Sequence, residues 1–297
     1  MNVAFLGLGA IGAPMARHLA SRYRLAVWNR TSSRAEAFAR EFGARAARTP
    51  ADAARDAEVV ITCLPTSREV QALLNGEDGL LAAMASGSVL VDCTSGDPAT
   101  SRQIAARLVS RGVGFVDAPV SGGVSGAEKG KLAVMCGGET ETFERVRPVL
   151  EAFGEKIVPC GPVGAGHAVK AVNQAMLGIH IWALAEGFVA LEKAGVPTRA
   201  ALDVINASSG RSNASMNLFP ERVMTRAFPR TFRLALLDKD VRIAADFARE
   251  HGVASPLLQL ASELLRLARQ ELGEEADHVE AVKVVERLAG QPIGGGT

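Results

Sequence analysis

Three short segments carry most of the chemistry this sequence can offer. Gly7-Leu8-Gly9-Ala10-Ile11-Gly12 has GxGxxG spacing. Glycines so placed suit a tight turn, close backbone approach to a pyrophosphate, and seating of that anion on a helix N-terminus. The spacing alone is weak, because glycines also simply turn a strand into a helix. Lys170 and Asn173 lie three residues apart in a stretch of helical periodicity, so their side chains share a face. Beside the apolar Val169, Val172, Met176 and Leu177, Lys170 is expected to be partly desolvated and suited to proton transfer near neutrality. The commoner alternative is a lysine whose stem covers an apolar stripe while its ammonium reaches water. In Asp117-Ala118-Pro119-Val120-Ser121-Gly122-Gly123, Ser121 offers a hydroxyl and Gly122 and Gly123 offer unobstructed N–H groups. Such a concavity fits a small carboxylate, or only reverses the chain.

The residues after the next strand sharpen the glycine signal. Trp28-Asn29-Arg30-Thr31 stands where an NAD site usually carries Asp or Glu for the ribose hydroxyls. Asn29 removes the carboxylate that repels a 2′-phosphate, and Arg30 can meet that phosphate with a planar fork. NADP is therefore expected over NAD, unless Arg30 is an ordinary solvated arginine. Arg34, one helical turn on, is either a second phosphate contact or surface. Leu64, Pro65 and Ser95 follow the ends of two further strands, and in an open α/β sheet ligands bind beyond such carboxyl ends.

These groups need a scaffold, and the chain's rhythm supplies one. Short β-type runs at 3–6, 25–28, 58–64, 89–93 and 114–117 alternate with amphipathic stretches such as 14–21 and 34–42. That alternation predicts βαβ units and a parallel sheet, with runs at 132–136 and 156–159 closing it. From residue 167 to 193 apolar residues recur at helical spacing without Gly-Pro punctuation, which predicts one helix. Further helices are expected at 199–207, 215–226, 237–250, 256–271 and 278–288. The fold class is thus α/β: a Rossmann-type doubly wound sheet over 1–162 and an all-helical domain over 163–290. Residues 163–193 form the connecting helix, and 291–297 a flexible tail.

Composition excludes several partners. The 33 Lys and Arg against 32 Asp and Glu, a net charge of +1, give no overall field for nucleic acid or anionic lipid. Any anion must be held locally. No run is read as apolar enough to cross a bilayer, and no basic leader opens the chain, so a cytoplasmic location is expected. The four cysteines, Cys63, Cys93, Cys136 and Cys160, form no CxxC pair and are read as buried, reduced thiols. The histidines lack metal-site spacing, so no metal is expected.

Taken in order, GLGxxGxxMA at 7–16, DxPVSGG at 117–123, GxGxxxKxxN at 164–173 and FxxxLxxKD at 232–240 resemble the β-hydroxyacid dehydrogenase family over nearly the whole chain. The family is typified by 3-hydroxyisobutyrate dehydrogenase and tartronate semialdehyde reductase. The resemblance implies an NADP-dependent oxidoreductase interconverting a small 3-hydroxyacid and its semialdehyde. It makes Lys170 the catalytic acid/base, Ser121, Gly122 and Gly123 the carboxylate site, and Asn173 a substrate-orienting group. Ser95 and Lys239 would contact the cofactor, Lys239 from the helical domain, and Phe232 and Asp240 would border the site. Gln174 departs from the Asn common there, which touches substrate positioning. A glyoxylate, succinic semialdehyde or tartronate semialdehyde reductase remains an alternative, as does a non-catalytic NADP-binding protein; the latter has no need of the Lys170–Asn173 pair. Imine reductases typically replace the lysine. Residues 208–221, with Arg211, Ser212 and Asn213, are the expected place for discrimination, or else a plain loop. A homodimer or homotetramer through the helical domain is also implied.

Overall fold

In a computed structural model that describes residues 1–294, the chain forms two compact units, Met1–Lys170 and the residues from Ala171 onward. The first contains nine strands: β1 (Asn2–Leu6), β2 (Arg24–Trp28), β3 (Arg45–Ala46), β4 (Val59–Thr62), β5 (Val89–Asp92), β6 (Gly114–Asp117), β7 (Val120–Ser121), β8 (Leu132–Gly137) and β9 (Gly154–Gly161). Their order is β3-β2-β1-β4-β5-β6-β8-β7, with β9 on β8. The strands from β1 to β6 pair in parallel. Helices cover both faces, so central strands read as continuous apolar runs: all four residues of β4 are buried, as are those of β5. Successive side chains alternate between two cores. Val3 and Phe5 join Met15, Leu19, Phe38 and Phe153; Ala4 and Leu6 join Val60, Leu74, Leu90 and Ile104. Strand order reverses between β1 and β4, which opens a crevice at their carboxyl ends.

The doubly wound sheet is as expected, but it is not closed in parallel. β8 runs antiparallel to β6 and β7, and only β9 lies parallel to β8. Residues 122–131, which join β7 to β8, are fewer than the dozen or so a parallel crossover requires. The edge strand β9 is mostly exposed and carries Pro159.

The second unit is helical. The helix Ala165–Lys193 enters it, followed by Thr198–Asn206, a π-helix Ala214–Val223, Leu234–Glu250, Pro256–Leu272, a 3₁₀ turn His278–Ala281 and Val282–Ala289. They bury Ile181, Phe188, Leu218, Phe219, Leu237, Val241 and Leu265. The expected α-helix at 215–226 is instead π-helical, with Pro220 inside it supplying no N–H to a regular ladder. The expected helix at 278–288 begins as a 3₁₀ turn, which Asp277 caps with a reciprocal Glu280 box.

Buried Asp117 of β6 accepts the N–H groups of Gly164 at 2.7 Å and His167 at 2.9 Å, which holds the first turn of the long helix to the first unit, up to Lys170. The long helix has 29 residues and is long and apolar enough to cross a membrane by length and composition, against the expectation that no run approaches this. Asn173, Gln174, Gly178 and His180 break its sequence into short runs, while Ala, Val, Leu and Ile keep the average high; 44% of its most apolar window is buried. The tail expected at 291–297 is anchored at its start: Ile293 is fully buried and its N–H donates to Glu286 at 2.8 Å. Residues 295–297 lie outside the described residues. Cys93 and Cys136 are buried thiols, but Cys63 and Cys160 are only half-buried, at a loop and on the edge strand.

Asp277 organises one end of the second unit. Its carboxylate accepts the N–H groups of Thr231 (2.8 Å), Phe232 (3.0 Å) and Val279 (3.1 Å) and lies 3.1 Å from His278 Nδ1. Burial pushes the carboxyl up, but the bonds from His278, Phe232 and Thr231 outweigh it and hold the group well below the usual carboxylate range. A depressed folded-state pKa gives stability that is complete above the unfolded value, about 3.9, and fades as pH falls below it. Thermal melts should therefore show this contribution fading below about pH 4. Asp277→Ala should cost about 3 kcal/mol at pH 7, by leaving these donors unpaired. Its melting curve should also lose part of the wild-type acid dependence.

Candidate active site

The crevice side of the first unit is assembled by backbone. Leu6 of β1 pairs with Trp28 of β2 and with Thr62 of β4, so three strands end together. Gly7 N–H donates to the Trp28 carbonyl at 3.0 Å, and Leu8 N–H donates to Asn29 Oδ1 at 3.0 Å. Asn29 Nδ2 in turn donates to the Thr31 carbonyl at 3.1 Å. Asn29 thus fastens the Gly7–Gly12 turn to the end of β2, a role the sequence does not disclose. Gly9 and Ala10 are exposed, Ile11 is half-buried and Gly12 is buried. A Cβ at Gly9 would meet nothing within 4 Å. The helix Gly12–Ala20 has no side-chain cap and no acid in its first turn. Open space over glycine, facing an uncapped helix N-terminus, fits a dinucleotide pyrophosphate.

The adjoining β2 end fits a further phosphate. Arg30, Thr31 and Arg34 are all exposed, and Arg30 makes no ion pair or hydrogen bond among the described residues. Thr31 begins the helix Ser32–Phe42, which likewise lacks a side-chain cap and a first-turn acid.

On the other side of β1, exposed Pro65 and half-buried Leu64 follow β4, and half-buried Ser95 follows β5. Leu64 N–H donates to Thr94 Oγ1 at 3.1 Å, which joins the two loops. Asp92, fully buried at the end of β5, accepts from the Thr62 hydroxyl at 2.9 Å and from Thr94 N–H at 3.0 Å.

Ser121 ends β7 half-buried, while Gly122 and Gly123 are exposed with φ of +133° and +64°. Left-handed backbone at both positions suits only glycine without strain and turns their N–H groups into a concavity. Asp117, four residues before Ser121, is also the carboxylate that pins residues 164 and 167. Burial raises its carboxyl above the usual value, against the opposing pull of His167 and the two N–H bonds. One acid thereby links the Ser121–Gly123 turn to the start of the long helix. Lys170 is 7% exposed in the next turn of that helix, whereas Val169, Val172 and Met176 are 45%, 42% and 48% exposed. The lysine is desolvated as expected, but those three neighbours do not bury it; periodicity alone cannot tell which side of a helix is covered. Asn173 is exposed three residues later, and its Nδ2 donates to buried Gln174 Oε1 at 3.2 Å.

The remaining expected residues belong to the second unit. Lys239 Nζ lies 2.9 Å from buried Asp240 Oδ1. Phe232 stands edge-on to His278, 5.4 Å between ring centroids. Ser212 and Asn213 do not form a plain loop. Ser212 N–H donates to Ser215 Oγ at 2.9 Å, and Asn213 Oδ1 accepts from Asn217 Nδ2 at 2.8 Å, so both bind the opening of the π-helix. Arg211 is exposed beside them.

Comparison with known proteins divides the chain between residues 161 and 164, where the sequence analysis places its domain boundary. Residues 2–161 match a family described as the NAD binding domain of 6-phosphogluconate dehydrogenase, and residues 164–285 one described as NAD-binding of NADP-dependent 3-hydroxyisobutyrate dehydrogenase. The chain is 34% identical over 298 residues to 2-(hydroxymethyl)glutarate dehydrogenase of Eubacterium barkeri, covering 100% of this chain and 98% of that protein. It is 34% identical over 297 residues to an NAD-dependent L-serine dehydrogenase of Pseudomonas aeruginosa, covering 98% and 99%. Among solved structures, Mycobacterium tuberculosis 3-hydroxyisobutyrate dehydrogenase with L-serine superposes at a TM-score of 0.87 with 32% identity, over 96% of this chain and 98% of that one.

Proposed function

The chain belongs to the β-hydroxyacid dehydrogenase family, and on that premise we propose that it is an NADP-preferring enzyme interconverting a small 3-hydroxyacid and its semialdehyde, with 3-hydroxyisobutyrate as the first candidate. One observation carries the reading: Lys170, buried in a helix whose start is pinned by Asp117, the residue that leads into Ser121–Gly123. A desolvated lysine is thereby tied to a turn suited to a carboxylate.

When bound, the nicotinamide supplies the hydride acceptor or donor. Lys170 takes the proton from the substrate hydroxyl in oxidation and returns it to that oxygen in reduction. As a cation it also stabilises negative charge building there. The Ser121 hydroxyl and the N–H groups of Gly122 and Gly123 hold the substrate carboxylate, which fixes the carbinol carbon two bonds away and favours 3-hydroxyacids. The protein works in the cytoplasm in this reading, as a homodimer or homotetramer, which light scattering on the purified chain checks.

The cofactor preference rests on residues 29–34. Asn29 is neutral and engaged with Leu8, while Arg30, Thr31, Arg34 and an uncapped helix N-terminus offer a phosphate two cations and free donors. The serine dehydrogenase relative is NAD-dependent by name, so membership of the family does not decide the matter. Steady-state kinetics with 3-hydroxyisobutyrate, 3-hydroxypropionate, L-serine, tartronate semialdehyde, succinic semialdehyde and glyoxylate, each with both cofactors, tests the whole reading. Arg30→Ala should raise KM for NADP about tenfold and leave KM for NAD unchanged. Equal wild-type kcat/KM for the two cofactors would falsify the preference.

A further inference from the structure

The first unit holds a buried polar cluster that proton transfer by Lys170 does not itself use. His167, in the first turn of the long helix, is fully buried. Its Nε2 lies 2.8 Å from the Thr94 carbonyl. A carbonyl only accepts, so that nitrogen carries a hydrogen and donates it. Nδ1 lies 2.6 Å from the Ser101 hydroxyl, which is also within 3.0 Å of the Asp97 carbonyl. Asp92 Oδ2, 4.0 Å from Nε2, is buried with no hydrogen-bond partner among the described residues. The 94–97 turn presses directly on the ring: a Cβ at Gly96 would stand 2.7 Å from His167 Cε1.

That turn is tied on its other side to the loop after β4. Leu64 N–H donates to Thr94 Oγ1 at 3.1 Å, and Asp97 N–H donates to Ser67 Oγ at 2.8 Å. His167 therefore bonds to the segment carrying Ser95, which is joined in turn to Leu64 and Pro65. Lys170 follows His167 by three residues on one helix, close to one full turn. An apolar side chain would fill the same space without burying an imidazole beside a carboxylate oxygen that lacks a partner. What it would not do is fix the distance and direction of the turn, because only hydrogen bonds are that directional.

We propose that His167 is a positioning residue: through its bonds to Thr94 and Ser101 it sets Ser95, and with it the 64–65 segment, at a fixed place relative to Lys170. The inference rests on the reading above, in which Lys170 moves the proton, and on the expectation that Ser95 contacts the cofactor, with residues 64 and 65 at the neighbouring strand end. The Gly7–Gly12 turn and residues 29–34 keep their own anchors without His167. Its loss should thus act on turnover and spare cofactor affinity.

His167→Leu removes both bonds, while His167→Gln keeps an amide N–H near the position of Nε2 and so keeps the Thr94 bond. The leucine variant should lose between about 10- and 100-fold in kcat, as small misplacements of reacting groups do, with Kd for NADPH within about threefold of wild type. The glutamine variant should stay within about fivefold of wild-type kcat at a similar melting temperature. Hydrogen exchange, which needs no substrate, should show faster exchange over residues 94–101 in the leucine variant and near-wild-type exchange in the glutamine variant. If the leucine variant does not fold, Ser101→Ala, which leaves the imidazole in place, should lower kcat by about three- to tenfold at unchanged Kd. Wild-type kcat in His167→Leu, or in Ser101→Ala where that variant stands in, overturns the proposal. So does a kcat loss in both His167 variants that merely tracks their melting temperatures. A wild-type protein that turns over no hydroxyacid with either cofactor overturns the reading of Lys170 and Ser95 instead, and the exchange comparison still decides whether His167 holds residues 94–101.

Discussion

Lys170→Ala should lower kcat by about 10³-fold or more on whichever substrate the wild type prefers, while NADPH binding stays within about threefold. The size follows from what the proposed mechanism would lose: both a proton carrier and a cation beside the oxygen that develops charge. The selectivity follows from where the proposed reading puts the cofactor's other contacts. The Gly7–Gly12 turn is fastened by Trp28 and Asn29, and the residues proposed for the 2′-phosphate stand at the end of β2, on segments to which Lys170 does not belong. Alanine is a strong helix former, and the helix start remains held by Asp117, so the fold should survive. Lys170→Arg separates the two losses, because arginine keeps the charge and does not give up its proton. It should remain severely impaired if proton transfer is the larger contribution. Steady-state kinetics beside NADPH fluorescence titration reads both quantities, and a wild-type kcat in the alanine variant removes Lys170 from the reaction.

What could be read in advance was local. The glycine spacing at 7–12 and the helix carrying Lys170 depend on turn chemistry and periodicity within a few residues, and both occupy the elements expected of them. β3 and β7 have two residues each, too short for any period to register. The antiparallel placing of β8 follows from the sum of connections around β7, which no single window contains. The hold on the start of the long helix is not legible in the sequence because its cause spans 47 and 50 residues, from Asp117 to Gly164 and His167. Asp117 could be seen as one letter of a motif, but its two accepted N–H bonds could not. Asn29 shows a subtler limit. In the sequence its neutral amide signals only an absence of charge, whereas the structure gives it a positive task, holding the Leu8 N–H. Nothing in Gly-Ala-Gly-His marks His167 as buried, since a histidine's partners here come from residues 94 and 101 on other elements.

Gly9→Ala and Gly12→Ala should fail in opposite ways, and the contrast tests whether the turn holds a pyrophosphate. A Cβ at Gly12 would stand 2.0 Å from the Gly7 carbonyl oxygen. That neighbour is backbone, and Gly7 is itself locked at a φ of +109° with its own Cβ position 2.2 Å from the Cys63 carbonyl. Nothing there can give way, so Gly12→Ala should cost about 3 kcal/mol and lower the melting temperature even without ligand. At Gly9 a Cβ meets nothing within 4 Å and φ is not in the left-handed region, so alanine fits the free protein. Its methyl would instead occupy the space through which a pyrophosphate must approach the backbone. Gly9→Ala should therefore melt like the wild type but lose about 100-fold in NADPH affinity, a loss of the scale a crowded anion site produces. Because a ligand that binds only the folded state raises its stability in proportion to ln(1 + [L]/Kd), saturating NADPH should lift the wild-type melting curve and lift that of Gly9→Ala far less. A Gly9→Ala protein that melts and responds to NADPH like the wild type would show that the open space above Gly9 is not where the cofactor's phosphates lie.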